Sequence, residues 1–286
     1  MTLEVNAAED KSYSCDQVPT VAHLGPQLPG VSQIDGELER ALWASNHCKW
    51  RTAVGVLGLL TTLLTLVLGL VVTPPVQVLG NTGRLLYVHP PLAWAALYLA
   101  FGTTTIASIL WLWKRTRSLF WDRVAGASAE VGVLFLALTL ITGSIWGRTT
   151  WGVWWTWDAR LTLTAVLLVL YLGYMAVRSV GGSPSAKATR NAITALIAAV
   201  DVPIVHFSVD WWNTLHQQAS VLTPNLNLKV HGIIAVTMGI SFVAVTLVWV
   251  YLVRLRYENM LLEQAKERAY IYMSIQERLK ESEDAR

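Results

Sequence analysis

The residues with the most chemical potential in this chain fall in three short segments. The first, Arg84-Leu85-Leu86-Tyr87-Val88-His89-Pro90-Pro91, sets an arginine and a histidine immediately before an apolar run. The second, residues 146–162, holds Trp146, Trp151, Trp154, Trp155 and Trp157 and closes on Asp158-Ala159-Arg160-Leu161-Thr162. The third carries His206, then Trp211-Trp212-Asn213-Thr214-Leu215-His216-Gln217. An imidazole can bind a metal ion or move a proton. Clustered indoles offer flat surface to a planar apolar partner, and an arginine pairs with a carboxylate through two parallel hydrogen bonds.

Spacing sharpens these possibilities. If the second segment is helical, Trp151, Trp154, Trp155 and Asp158 share one face and make an aromatic shelf. On a short helix Trp212 and His216, four apart, also share a face, setting an imidazole beside an indole as a ligand beside a porphyrin-stacking ring requires. A residue before proline is pushed towards extended backbone, so His89 is expected just outside a helix start rather than within the bilayer.

Each feature has a plainer reading. His89 alone reads first as an interfacial ring bonded to a headgroup or loop carbonyl, and Arg148 reads equally as a headgroup contact. Tryptophans anchor membrane proteins at both interfaces, which accounts for Trp43, Trp50, Trp111, Trp113, Trp121 and Trp249. The other eight, four of them within seven residues, are denser than anchoring requires. His206 and His231 compete as ligands but lack a comparable aromatic setting, so structural roles are expected.

The elements that must position these segments are membrane spans. With 53% hydrophobic and 14% charged residues, the chain is far from the composition of a soluble domain. Apolar runs at Thr52 to Gly83, Leu85 to Trp113, Val124 to Gly147, Leu161 to Val177, Asn191 to Phe207 and Gly232 to Val253 give six spans. The fold class is therefore an all-α integral membrane protein of six transmembrane helices, with short interfacial helices in the outward loops. Lys49, Arg51, Lys114, Arg115, Arg117, Arg123, Arg178, Lys187, Arg190, Arg254 and Arg256 mark one side as cytoplasmic, against Arg84, Arg148, Arg160 and Lys229 on the other. Both termini are then cytoplasmic, and the three outward loops can form one site. Residues 1–33 read as a disordered cytoplasmic tail, 34–50 as an interfacial helix containing Leu38, Leu42 and Trp43, 51–254 as the six-span domain, and 255–286 as a cytoplasmic helix extending span six. Within the spans, Glu130 and Asp201 are expected to make helix-to-helix hydrogen bonds.

Cys15 and Cys48 stand alone, which argues against a disulfide framework. No Cys-x-x-Cys-His signature for covalent haem attachment, Walker A loop or dinucleotide-binding glycine pattern occurs. Two neutral imidazoles can fill the axial positions of a haem iron while indoles support the ring. Arg84 and Arg160, with Arg148 third, are candidates for its propionates, and Asp158 is expected to orient Arg160 or a loop amide.

Over residues 50 to 256 the chain resembles the haem exporter protein C family, the haem-handling C subunit of a cytochrome c maturation system. The resemblance rests on the tryptophan-rich segment ending Trp-Asp-Ala-Arg-Leu-Thr, on Trp-Trp-Asn-Thr-Leu-His-Gln and on Arg-x-x-x-x-His-x-Pro, in that family's pattern. It implies haem b held non-covalently between His89 and His216 on the outer face of a bacterial inner membrane, with Trp151, Trp154, Trp155, Trp157, Asp158, Trp211 and Trp212 around it. It also implies a membrane-tethered haem chaperone as recipient, and as partners an ATP-binding cassette ATPase, its membrane subunit and a small membrane subunit. No enzymatic activity and no nucleic-acid partner are expected. The long N-terminal tail and Pro90 depart from the usual pattern. A related cytochrome c synthase typically reads Trp-Asp-Pro-Lys-Glu and has additional spans, where this chain reads Trp-Asp-Ala-Arg-Leu. A small-solute transporter would place Glu130 and Asp201 along a conduit, yet spans one, two, four and six offer no central charges.

Overall fold

The computed structural model describes residues 49–76, 79–114, 116–216 and 231–285. Among these residues there is no β-strand, and six helices are long and apolar enough to cross a membrane. The chain is an all-α membrane protein. The expected tail at 1–33, the segment 34–48, both cysteines, Arg115 and Lys229 lie outside the described residues. Residues Arg51–Tyr257 form one compact unit, and Met1–Trp50 with Glu258–Arg286 are assigned to a second.

Span one is α1 (Lys49–Val67) continued by a π-helical turn at Leu68–Val72. It stops well before Gly83, because Thr73-Pro74-Pro75 cannot continue a helical hydrogen-bond ladder. Span two begins with a 3₁₀ segment at Asn81–Tyr87 and continues through α2 (His89–Trp94), a π-helical stretch (Ala95–Ala100) and α3 (Phe101–Leu112). Span three is α4 (Leu119–Trp151), capped by Ser118, whose hydroxyl accepts from the Phe120 amide. Span four is α5 (Ala159–Ser179), capped by Asp158 accepting from the Leu161 amide at 2.9 Å. Span five is α6 (Pro184–Ala199) and α7 (Asp201–Trp211). Pro203 has no amide hydrogen to donate back to the preceding turn, and the ladder breaks at Val200. Span six opens α8 (Gly232–Asp284), which continues as one helix.

Small residues let spans two and three approach closely. A side chain on Gly132 would stand 2.6 Å from the Phe101 ring, which in turn stacks on Tyr171 with centroids 3.6 Å apart. Phe101, Leu136, Leu167, Tyr171 and Tyr174 form the buried centre. Glu130 meets Arg256 through both carboxylate oxygens, the expected helix-to-helix contact. Asp201 differs from expectation: it is buried and its Oδ2 has no partner among the described residues. Trp111 is not an interfacial anchor but is buried against Ala188 and Ala192, whose small side chains leave a notch for it.

Of the short interfacial helices expected in the outward loops, the 3₁₀ segment Asn81–Tyr87 is the one present among the described residues. The tryptophan-rich loop is not helical. Gly152, at φ +81°, caps α4 directly after Trp151, and residues 153–158 run in irregular backbone. Residues 212–216 are likewise non-helical, so Trp212 and His216 do not share a helix face.

Candidate functional site

Between the spans, at the end where Trp151, Asp158 and His216 lie, is a cavity of about 730 Å³. That size falls in the range of roughly 300–1,000 Å³ usual for ligand pockets. One wall is a stripe along α4 in which Leu136, Thr139, Leu140, Gly143, Trp146, Gly147, Thr150 and Trp151 recur at three- and four-residue spacing. Span two contributes His89, Trp94, Leu97 and Tyr98, and α8 contributes Met238, Phe242, Val243 and Leu247. Arg160, His206 and His216 complete the lining. A mostly apolar chamber thus holds three imidazoles and one guanidinium.

His89 is the first residue of α2, inside the helix rather than before it, with the prolines behind it supplying a preset first turn. Its Nδ1 lies 3.1 Å from the Thr139 carbonyl oxygen and 3.2 Å from the Thr142 hydroxyl. Thr142 spends its own proton on the Leu138 carbonyl at 2.8 Å, so both groups facing Nδ1 are acceptors. The ring carries its hydrogen on Nδ1, and the Nε2 lone pair stays available. Gly143 makes the approach possible, since a side chain there would stand 2.8 Å from the His89 Cε1. Trp146 meets the ring edge-on at 5.7 Å.

His216 is built differently. It rests edge-on against Trp151 at 4.9 Å, and its Nδ1 faces the Asp158 carboxylate at 3.6 Å, an ion-pair distance rather than a closed hydrogen bond. Asp158 is fixed by the Leu161 amide at 2.9 Å and the Leu215 amide at 3.3 Å, so one carboxylate ties the start of α5 to the loop bearing His216. Its role is to orient the histidine and two amides, not Arg160. Burial lowers the pKa of His216 below its ordinary value, the Arg160 charge lowers it further, and Asp158 acts in the opposite direction. The ring therefore favours the neutral form that a metal ligand requires.

Arg160 donates to the His206 carbonyl at 3.3 Å, and no carboxylate reaches it at ion-pair distance among the described residues. His206, expected only as structural, lines the same cavity and shares a hydrogen bond through Nδ1 with the Tyr98 hydroxyl. His231 is exposed just before α8.

Several residues expected at the site stand elsewhere. Trp154, Trp157, Trp211 and Trp212 are exposed and do not line the cavity, and Trp155 is half-buried beside Trp157. The irregular backbone after Gly152 turns Trp154 and Trp157 away from the face that Trp151 occupies, and Trp211 and Trp212 stand at the C-terminal end of α7. Arg84 is engaged with the Gly69 carbonyl at 2.6 Å and with Asn81 at 3.3 Å, which fastens the first loop to span one. Arg148 bonds the Gly152 carbonyl and stabilises the turn. Trp94, Tyr98, Thr142 and Gly143 are site residues that the sequence reading did not single out; for Thr142 and Gly143 the apolar run that becomes α4 was the one sequence signal, and Trp94 and Tyr98 sit in the equally unmarked span two.

Residues 39–271 match the family model described as Heme exporter protein C. The chain is 44% identical over 144 residues to the Heme exporter protein C of Bradyrhizobium diazoefficiens, covering 50% of this chain and 53% of that protein. It is 35% identical over 237 residues to the Heme exporter protein C of Haemophilus influenzae, covering 78% of this chain and 94% of the relative. A mitochondrial protein of Arabidopsis thaliana named for cytochrome c biosynthesis is 37% identical over 57% of this chain and 60% of its own length. The chain thus spans about half of the first relative and nearly all of the second. With the family model matched through all six spans, this chain belongs to the Heme exporter protein C family.

Proposed function

We propose that the chain binds one haem b non-covalently in this cavity and delivers it for the maturation of c-type cytochromes. The observation that carries the reading is that two histidines, one at the start of α2 and one in the loop after α7, line one mostly apolar cavity with acceptors facing both Nδ1 atoms, so that both Nε2 lone pairs are left for iron. The residues present fit the cargo in two further respects. Indole and aliphatic side chains make most of the wall, and the largely enclosed Arg160 lacks, among the described residues, an anionic partner that a propionate would supply. Bound haem supplies an iron that takes two neutral imidazoles. The protein's part is to hold His89 of α2 stiffly against α4, to keep His216 neutral beside Asp158, and to exclude water from the apolar wall.

The distribution of Lys and Arg supports the reading that the opposite end of the bundle faces the cytoplasm and the site faces the periplasmic side of a bacterial inner membrane. There the exposed Trp154, Trp157, Trp211 and Trp212 would surround the mouth of the cavity and meet a membrane-tethered haem chaperone. The chain itself is a handler rather than an enzyme, and ATP hydrolysis belongs to cassette subunits that associate with it, together with a small membrane subunit. The test is to titrate haem into the purified protein and then add the chaperone. One equivalent bound and passed on is expected. Failure to bind haem at saturation, or transfer that proceeds equally without this chain, overturns the proposal.

A further inference from the structure

We infer that His206 is a hydrogen-bond donor to a carboxylate of the ligand, not a ligand to its metal, and that Tyr98 assigns it this role. The inference rests on the reading of the cavity as a haem site. A neutral imidazole has one protonated nitrogen and one lone pair, and the partner of Nδ1 decides which is which. For His89 and His216 the Nδ1 partners are acceptors, a carbonyl with a committed hydroxyl in one case and a carboxylate in the other. For His206 the partner is the Tyr98 hydroxyl, which has no other hydrogen-bond partner among the described residues. The phenol proton therefore goes to Nδ1, and Nε2 carries the ring hydrogen. A protonated Nε2 cannot bind iron, but it can donate to an anion.

The neighbouring group points to the same class of partner. Arg160 bonds the backbone of His206, and the nearest opposing charges, Asp158 and Asp210, stop short of ion-pair distance. Its remaining N–H groups and the His206 Nε2–H thus belong to one corner of an otherwise apolar cavity. Two donors of this kind suit a ligand with two carboxylates, and a porphyrin whose acids are masked would leave a guanidinium uncompensated. The competing account makes the Tyr98–His206 bond a pin between span two and α7 with no bearing on the ligand.

The full-length protein in detergent is titrated with haem and with haem dimethyl ester, reading affinity and Soret position. Wild type is expected to prefer the free acid by about tenfold or more, the scale of a charged hydrogen bond. His206→Phe and Arg160→Gln each cut that preference severalfold while the bis-imidazole band stays in place. His206→Gln, whose amide can donate, keeps most of it, and Tyr98→Phe lowers it because His206 can then adopt either tautomer. An unchanged preference in His206→Phe leaves only the pin and overturns the inference, as does loss of the bis-imidazole band in that variant. If wild type binds neither compound, the haem reading itself fails and takes this assignment with it.

Discussion

At the end of the bundle away from the cavity, Asp122 accepts from Arg178 at 2.9 and 3.3 Å and from Asn191 at 3.1 Å, while Arg178 also donates to Tyr174. Three spans are thereby tied through side chains that answer one another, and Glu130 with Arg256 adds a tie to span six. At the cavity end the polar groups are arranged in the opposite sense. Among the described residues, His89 and His216 have partners on one ring nitrogen only, Arg160 has a carbonyl but no carboxylate, and the Trp146 and Trp155 indole N–H groups are buried without acceptors. Buried polar groups left with spare capacity are costly in a finished fold. They belong where a ligand completes them, while the ion-paired network, in which the Asn191 Oδ1 is left without a partner among the described residues, holds the scaffold.

That contrast is broken most severely at the closed end. Asp122→Ala leaves the buried Arg178 guanidinium without its carboxylate, and about 3–5 kcal/mol of stability is expected to be lost. A lowered thermal midpoint with an unaltered haem band in the surviving protein is the expected result. At the open end, Gly143→Ala drives a methyl group into the His89 ring. Because the substitution improves helix propensity by up to about 1 kcal/mol, the unliganded protein should melt within a few degrees of wild type. Its haem affinity should fall by at least about tenfold, measured by titration. Asp158→Asn retains a capping side chain for α5 but removes the charge beside His216, so a loss of roughly tenfold in haem affinity is expected, with stability nearly preserved.

A smaller effect is expected from pH. The pKa of His216 is lower in the folded protein than its ordinary value of 6.5, chiefly through burial and then through Arg160, with Asp158 opposing. Below that value the unfolded chain binds more protons than the folded one, so the contribution of this ring to stability is complete above 6.5 and declines as pH falls. Haem binding should accordingly persist through pH 6.5 and fail only below it, with the half-loss read from the Soret band. Least affected are Trp154→Ala and Trp157→Ala. Both side chains are exposed, so stability should move by no more than about 0.5 kcal/mol and haem affinity hardly at all. Transfer to the chaperone is where their loss should appear.

The spans were legible because uncharged runs of membrane length leave little alternative to helices; His89 and His216, singled out by the aromatic, proline- and arginine-bearing motifs around them, both line the cavity. What misled was the assumption that helical spacing continues past Trp151. Gly152 is a helix stop signal, and reading it as one would have separated Trp151, inside the cavity, from the exposed Trp154 and Trp157. The contact of Arg84 was illegible because an arginine in a motif looks the same whether it meets a ligand or the Gly69 carbonyl, fifteen residues earlier. The Nδ1 partners were illegible for a related reason. Thr139 and Thr142 lie fifty and fifty-three residues from His89, in an apolar run with no local mark of their purpose.

The central claim is that His89 and His216, and not His206, present lone pairs to one metal centre. It is tested most directly by low-temperature EPR of the ferric haem complex in wild type, His89→Ala, His216→Ala and His206→Ala. A low-spin bis-imidazole signal is expected in wild type and His206→Ala, with conversion to a high-spin or altered signal in each of the other two. A wild-type signal that survives in His89→Ala or His216→Ala, or disappears in His206→Ala, would contradict it.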